Sequence, residues 1–245
     1  NMAEMFLSGK KLQMNNSEIS ATSASNISAE KRININIDSI NMIEQSHIRA
    51  DTVDHNNAGK VNINANELLL NNSSISSIAW DNSTGNAGNV TITASNLLGI
   101  HNNSYIASDT YSQGTAGQVS ILADKLEMNT GKNNKNPQFP TFISSSTFSS
   151  ASNAGNANKI SIDANIINMG YRSSIGTNTL GPGNGGSINI SSNELSLLNS
   201  SSISSIAWHN STGDAGNVTI TASNLLGIHN NSYIASDTYS QGTAG

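Results

Sequence analysis

Forty-five consecutive residues, Ser73–Gly117, return at Ser201–Gly245 with only two changes, Asp81 to His209 and Asn86 to Asp214. Inside this long repeat runs a shorter one. A lone Ile set among small polar residues recurs at Ile19, Ile48, Ile75, Ile106, Ile143, Ile175, Ile203 and Ile234, at spacings of 29, 27, 31, 37, 32, 28 and 31 residues. A period near 30 held through eight units is the mark of a repeat architecture, in which each unit buries its apolar face only against its neighbours. The one long interval holds "GKNNKNPQFP", whose Asn, Lys and Pro residues read as a loop inserted at 130–141 without disturbing the stack.

Within a unit the period is two. Val61, Ile63 and Ala65 alternate with Asn62, Asn64 and Asn66, and the same pattern returns at Val90, Ile92 and Ala94, at Val119, Ile121 and Ala123, and at Ile160, Ile162 and Ala164. That is a half-buried strand. A second short strand carries Leu68 and Leu70, or Leu126 and Met128. A third carries the recurring Ile with a small residue two places on, such as Ser77, Ser108 or Ser145. Turn formers separate them: "GNAGN", "SQGTAGQ" and "GPGNGG" before the first strand, paired Asn before the third.

Three short strands per 30 residues wind most simply into a parallel β-helix of about eight coils, one unit per coil. The period-3.6 stripes of helical repeats are missing, and Gly, Asn and Ser at this density weaken helices. The chain is expected to be a single β-helix segment over 1–245, cut from a longer protein. Its approximate four-coil blocks are 1–117 and 118–245. At about 4.8 Å per coil, eight coils make a rod of about 35–40 Å.

Three lines of equivalent residues are candidates for what holds or uses this rod. The Ile column forms the core. Paired turn Asn residues, Asn15 and Asn16, Asn71 and Asn72, Asn102 and Asn103, and Asn230 and Asn231, are expected to stack, with amides bonded along the axis. Five residues after each Ile stand Ala24, Val53, Trp80, Tyr111, Phe148, Leu180, Trp208 and Tyr239, apolar in every coil. The preferred reading is a corner of the core where bulky groups stack. The other is an exposed strip for lateral association or for stacking on sugar rings.

The string "GNAGNVTITASNLLGIHNNSYIAS", with its Ala-Gly-Asn-Val theme recurring across coils, resembles the repeats of filamentous haemagglutinin-type exoproteins of two-partner secretion. The resemblance covers essentially the whole chain. It implies a right-handed β-helix in a large secreted or surface-attached bacterial adhesin, carried across the outer membrane by a partner transporter. Receptors, glycans or further copies of itself are the implied partners. Two alternatives stand beside it: a self-assembling extracellular matrix filament, and a carbohydrate-binding or polysaccharide-degrading β-helix.

The residues offer little for catalysis, cofactors or metals. β-Helix enzymes need clustered carboxylates, whereas Asp38, Asp124 and Asp163 are scattered and Asp109 and Asp237 are one per block. Cysteine is absent, and His101 and His229 are one position in two blocks. A net charge of −5 without a basic stripe argues against nucleic acid as a partner. Charged residues are only 11% and aromatics 4% of the 245 residues, yet the alternation of Ile, Val and Thr argues against disorder. The expectation is therefore a rod without catalysis in this segment.

Overall fold

A computed structural model of the chain describes residues 3–22, 31–81, 83–131, 140–208, 211–239 and 241–245. The described residues contain sixteen strands and no helix. Eight are long: β1 (Ala3–Asn15), β3 (Lys31–Ile43), β5 (Lys60–Asn71), β7 (Val90–His101), β9 (Val119–Asn129), β11 (Ile160–Gly170), β13 (Ile188–Leu197) and β15 (Val218–Ile228). Each is followed by a short one: β2 (Glu18–Ser20), β4 (His47–Arg49), β6 (Ser74–Ser76), β8 (Tyr105–Ala107), β10 (Phe142–Ser144), β12 (Ser174–Gly176), β14 (Ser202–Ala207) and β16 (Tyr233–Thr238). The long strands pair in parallel in chain order, as do the short ones, giving two eight-stranded sheets wound as a parallel β-solenoid. It makes about seven turns of about 29 residues.

The expected three strands per coil are two. What the alternation divides into a first and a second strand is one continuous strand whose inward phase switches: Val61, Ile63 and Ala65 are buried, then Leu68 and Leu70, while Asn66 and Glu67 at the switch turn away from the core. Two neighbouring residues on the outside force the chain to bend around the interior, so one strand supplies two walls. In β7 the gap is one residue longer, Ala94 to Leu98, and the pairing of β5 with β7 shifts register there, as a bulge does. The third wall is the short strand, prolonged by single parallel bridges Thr52 to Ala79, Ala79 to Thr110, Thr110 to Thr147, Thr147 to Thr179 and Thr179 to Ala207.

The core is a set of columns. Ile19, Ile48, Ile75, Ile106, Ile143, Ile175, Ile203 and Ile234 pair one above another through all eight short strands. The six internal ones are fully buried, and Ile19 and Ile234 partly so, since a terminal coil is covered on one side only. Each buried Ile contributes about 1.5–3 kcal/mol of apolar burial. The insertion leaves this register intact, because Thr141 N–H donates to Thr130 Oγ1 at 2.8 Å and closes the neck of the loop; its residues 132–139 lie outside the described ones.

Between short and long strands the coils touch backbone to backbone. A Cβ on Gly114 would lie 1.9 Å from the Gly85 carbonyl oxygen one coil below, and one on Gly155 would lie 2.2 Å from that of Gly114. Only glycine permits this approach. Ser108 seals the same region from inside: its hydroxyl donates to the Gly88 carbonyl at 2.6 Å, as Ser77 does to Gly59 at 2.5 Å and Ser145 to Gly117 at 2.7 Å.

Candidate functional site

The outer face of the short-strand wall gathers most of the aromatic surface of the protein. Alternation from the inward Ile106 sends Tyr105, Ala107, Asp109 and Tyr111 outward. The coil above presents Phe142, Ser144, Ser146 and Phe148, and the coil below Ser74, Ser76, Ile78 and Trp80. Tyr111 stacks between Trp80 and Phe148 with ring centroids 5.2 and 5.1 Å apart, and Tyr105 stacks on Phe142 at 4.9 Å and 2°. Two aromatic files thus flank a trough of small and acidic residues. The trough is closed from water: Ser76, Ile78, Ala107, Asp109, Ser144 and Ser146 are all buried.

Two carboxylates work in this trough by holding the next coil. Asp51 Oδ1 accepts Ser76 Oγ at 2.9 Å and Ile78 N–H at 2.8 Å, and its Oδ2 accepts the Trp80 indole N–H at 3.0 Å. Asp109 Oδ1 accepts Ser144 Oγ at 2.6 Å and Ser146 N–H at 2.7 Å. Asn178 takes the same part, accepting Ile206 N–H at 3.0 Å. Burial pushes the Asp109 carboxyl up to about 6, against the pull of its bonds from Ser144 and Ser146. Burial likewise raises the Tyr111 phenol, and the charge of Asp109 adds to it.

The aromatic column is corrected in position. It is no corner of the core: Trp80, Tyr111, Phe148 and Leu180 are half-buried on the outer face, and Val53, Trp208 and Tyr239 are exposed at 49%, 39% and 49%. Ala24 lies outside the described residues. An offset of five from an inward Ile is odd, and the bridge at Ala79 shows that the extended conformation runs on that far. The side chain must therefore point out. Stacking along the rod also uses up the ring faces, leaving edges toward solvent, which disfavours sugar rings lying on them.

The paired Asn residues do not form a uniform ladder. Asn15, Ile43, Asn71, His101 and Asn129 are successive partners in one file, so Asn71 stands level with His101 and not with Asn102. The turn after this file takes left-handed residues: Asn16 and Asn72 singly, Asn102 with Asn103 and Asn230 with Asn231 in pairs, but also Glu44 with Gln45 and Tyr171 with Arg172. Asn is favoured there because it tolerates positive φ. Side-chain amides bond along the axis at two steps, Asn102 Nδ2 to Asn71 Oδ1 at 3.1 Å and Asn230 Nδ2 to Asn199 Oδ1 at 3.0 Å.

The more regular feature of this turn is serine. Ser46 Oγ donates to the Ile43 carbonyl at 2.6 Å, Ser73 Oγ to Asn71 at 3.0 Å and Ser201 Oγ to Leu198 at 2.7 Å, with Ser17, Ser104 and Ser173 making the same bond. Ser73 N–H in turn donates to Ser104 Oγ of the next coil at 3.1 Å. A Ser two residues before the anchoring Ile was the available signal, hidden in a chain with 41 serines.

No group of three His, Cys, Asp or Glu among the described residues is placed to hold a metal ion. No family model matches the chain, and neither a curated protein nor a solved structure matches it.

Proposed function

We propose that this chain is a rod segment of a large fibrous adhesin, secreted or attached to a bacterial surface, in which coils supply length. The observation that carries the reading is the interchangeability of coils. β7 with β8 and β15 with β16 have the same sequence, and β7 and β15 pair with the strand below in equivalent register with the same bulge. A repeat that stacks only on its neighbours can be duplicated without a new interface. The resemblance to filamentous haemagglutinin-type exoproteins supports the same reading, with export by an outer-membrane partner and a cell-surface receptor as ligand. No catalytic role is proposed for this segment.

A matrix filament is the second reading, favoured by the outward aromatic file with its exposed Val53, Trp208 and Tyr239. Electron microscopy of the native protein separates the two. Single thin rods with a repeat of about 4.8 Å along the axis support the stalk. Bundles or continuous filaments support the matrix fibre, and compact globules overturn both.

A further inference from the structure

The outer side of the first wall carries a feature that the rod reading does not use. Along β1, β3, β5 and β7 the outward residues form two files: Phe6, Asn34, Asn62 and Thr91 in one, Ser8, Asn36, Asn64 and Thr93 in the other. Between them lies an open groove of about 430 Å³, whose lining includes no charged residue. Its amides are held in place. Asn62 Nδ2 donates to Asn34 Oδ1 at 2.8 Å, Asn64 Nδ2 to Asn36 Oδ1 at 3.1 Å, and Asn34 Nδ2 to Glu4 Oε1. At one end stands Phe6, 66% exposed, and the coil beyond Thr93 places Leu122, 52% exposed, at the other.

We infer that this groove binds a neutral, extended polysaccharide chain lying along the rod axis. Each amide carries two donor hydrogens and an acceptor oxygen with two lone pairs. A rung to the next coil uses one donor and one lone pair, so the ladder amides keep further donors and acceptors for a ligand in the groove. The threonines add hydroxyls that both donate and accept. Paired donors and acceptors suit the hydroxyls of sugars, and the face of Phe6, unlike the stacked rings on the other wall, has no aromatic neighbour stacked on it among the described residues. The coils repeat at about 4.8 Å, close to the advance per sugar of a flat β-1,4-linked chain, so sugars fall about one per coil and alternate sugars, which share an orientation, meet equivalent rungs. No cation lines the groove itself, so an anionic chain finds no charge to pair with between the two files.

The test is titration of the full chain with cellohexaose, chitohexaose and the anionic hexagalacturonate, followed by calorimetry and by backbone amide NMR shifts. Binding of at least one neutral hexasaccharide is expected, with shifts confined to β1, β3, β5 and β7. Asn36→Ala with Asn64→Ala weakens it about tenfold or more, two lost hydrogen bonds at about 1 kcal/mol each. Thr93→Val, which keeps the side-chain shape, weakens it less, and Trp208→Ala leaves it unchanged. Absence of binding by either neutral sugar, tighter binding of hexagalacturonate, or undiminished binding by both groove variants overturns the inference. The result is independent of the rod reading: a rod seen by microscopy that binds no sugar loses only the groove, and a sugar-binding globule loses only the rod.

Discussion

Asn86 accepts the backbone N–H of Thr115, one coil further on, with its side-chain oxygen at 2.8 Å. In the second copy Asp214 accepts Thr243 N–H at 2.6 Å. The bond needs an acceptor oxygen and nothing else, which explains why the duplicate tolerates Asn in one block and Asp in the other.

The exchange should therefore be nearly neutral in one direction and harmful in another. Asn86→Asp is expected to leave the melting temperature unchanged near neutral pH, whereas Asn86→Leu loses about 1 kcal/mol. The bond from Thr243 holds the Asp214 carboxyl below its ordinary range. A lowered folded value means that its contribution is present above the usual carboxylate range and fades as pH falls through it. Thermal melts of both variants across acid and neutral pH check this.

Asp109 behaves in the opposite sense. Its folded value is raised from 3.8 to about 6, so the folded state holds a proton that the unfolded chain releases. The penalty is absent below the unfolded value, grows as pH rises between the two and is full above about 6. Asp109→Asn keeps the acceptor, as Asn178 does in its own coil, and is expected to be more stable at neutral pH by up to about 3 kcal/mol. Chemical denaturation at about pH 4 and about pH 8 should show the gain only at the higher pH.

Gly114 and Gly9 make a matched pair. An added methyl on Gly114 meets the Gly85 carbonyl oxygen at 1.9 Å, while one on Gly9 meets nothing within 4 Å. Gly114→Ala is expected to cost about 3 kcal/mol or more, because the backbones of two coils must part, and Gly9→Ala to be close to neutral. Circular dichroism melts of the two variants read the difference directly.

Because β15 repeats the sequence of β7, deleting residues 81–208 joins Trp80 to His209 and sets β15 directly on β5. The shortened chain is expected to fold cooperatively, with the same bulge opposite Asn66 and a rod about 19 Å shorter, four coils at about 4.8 Å each. Small-angle scattering gives the length. Loss of folding would show that coils are not interchangeable.

Much of this molecule is legible from spacing alone. Ile48, Ile75 and Ile106 had to share a column once each unit was taken as one coil, and the long interval before Ile143 had to be a loop. The bend at Asn66 and Glu67 was also written in the residues, as the switch from odd to even apolar positions, but alternation on either side of it reads equally well as two strands. The turn Asn residues misled because turns of different length shift equivalent residues by one, so Asn71 falls level with His101.

The sequence by itself determined the period, the strand alternation and the core columns, since apolar burial repeats wherever the backbone repeats. Only the tertiary structure decided which way Trp80 and Tyr111 face, that Asp51 and Asp109 sit sealed beneath an aromatic file, and that Asn34, Asn36, Asn62 and Asn64 line a groove. Those outcomes depend on the path of the chain around each corner and on which coil lies above. Long-range stacking sets both, and no local pattern of residues encodes it.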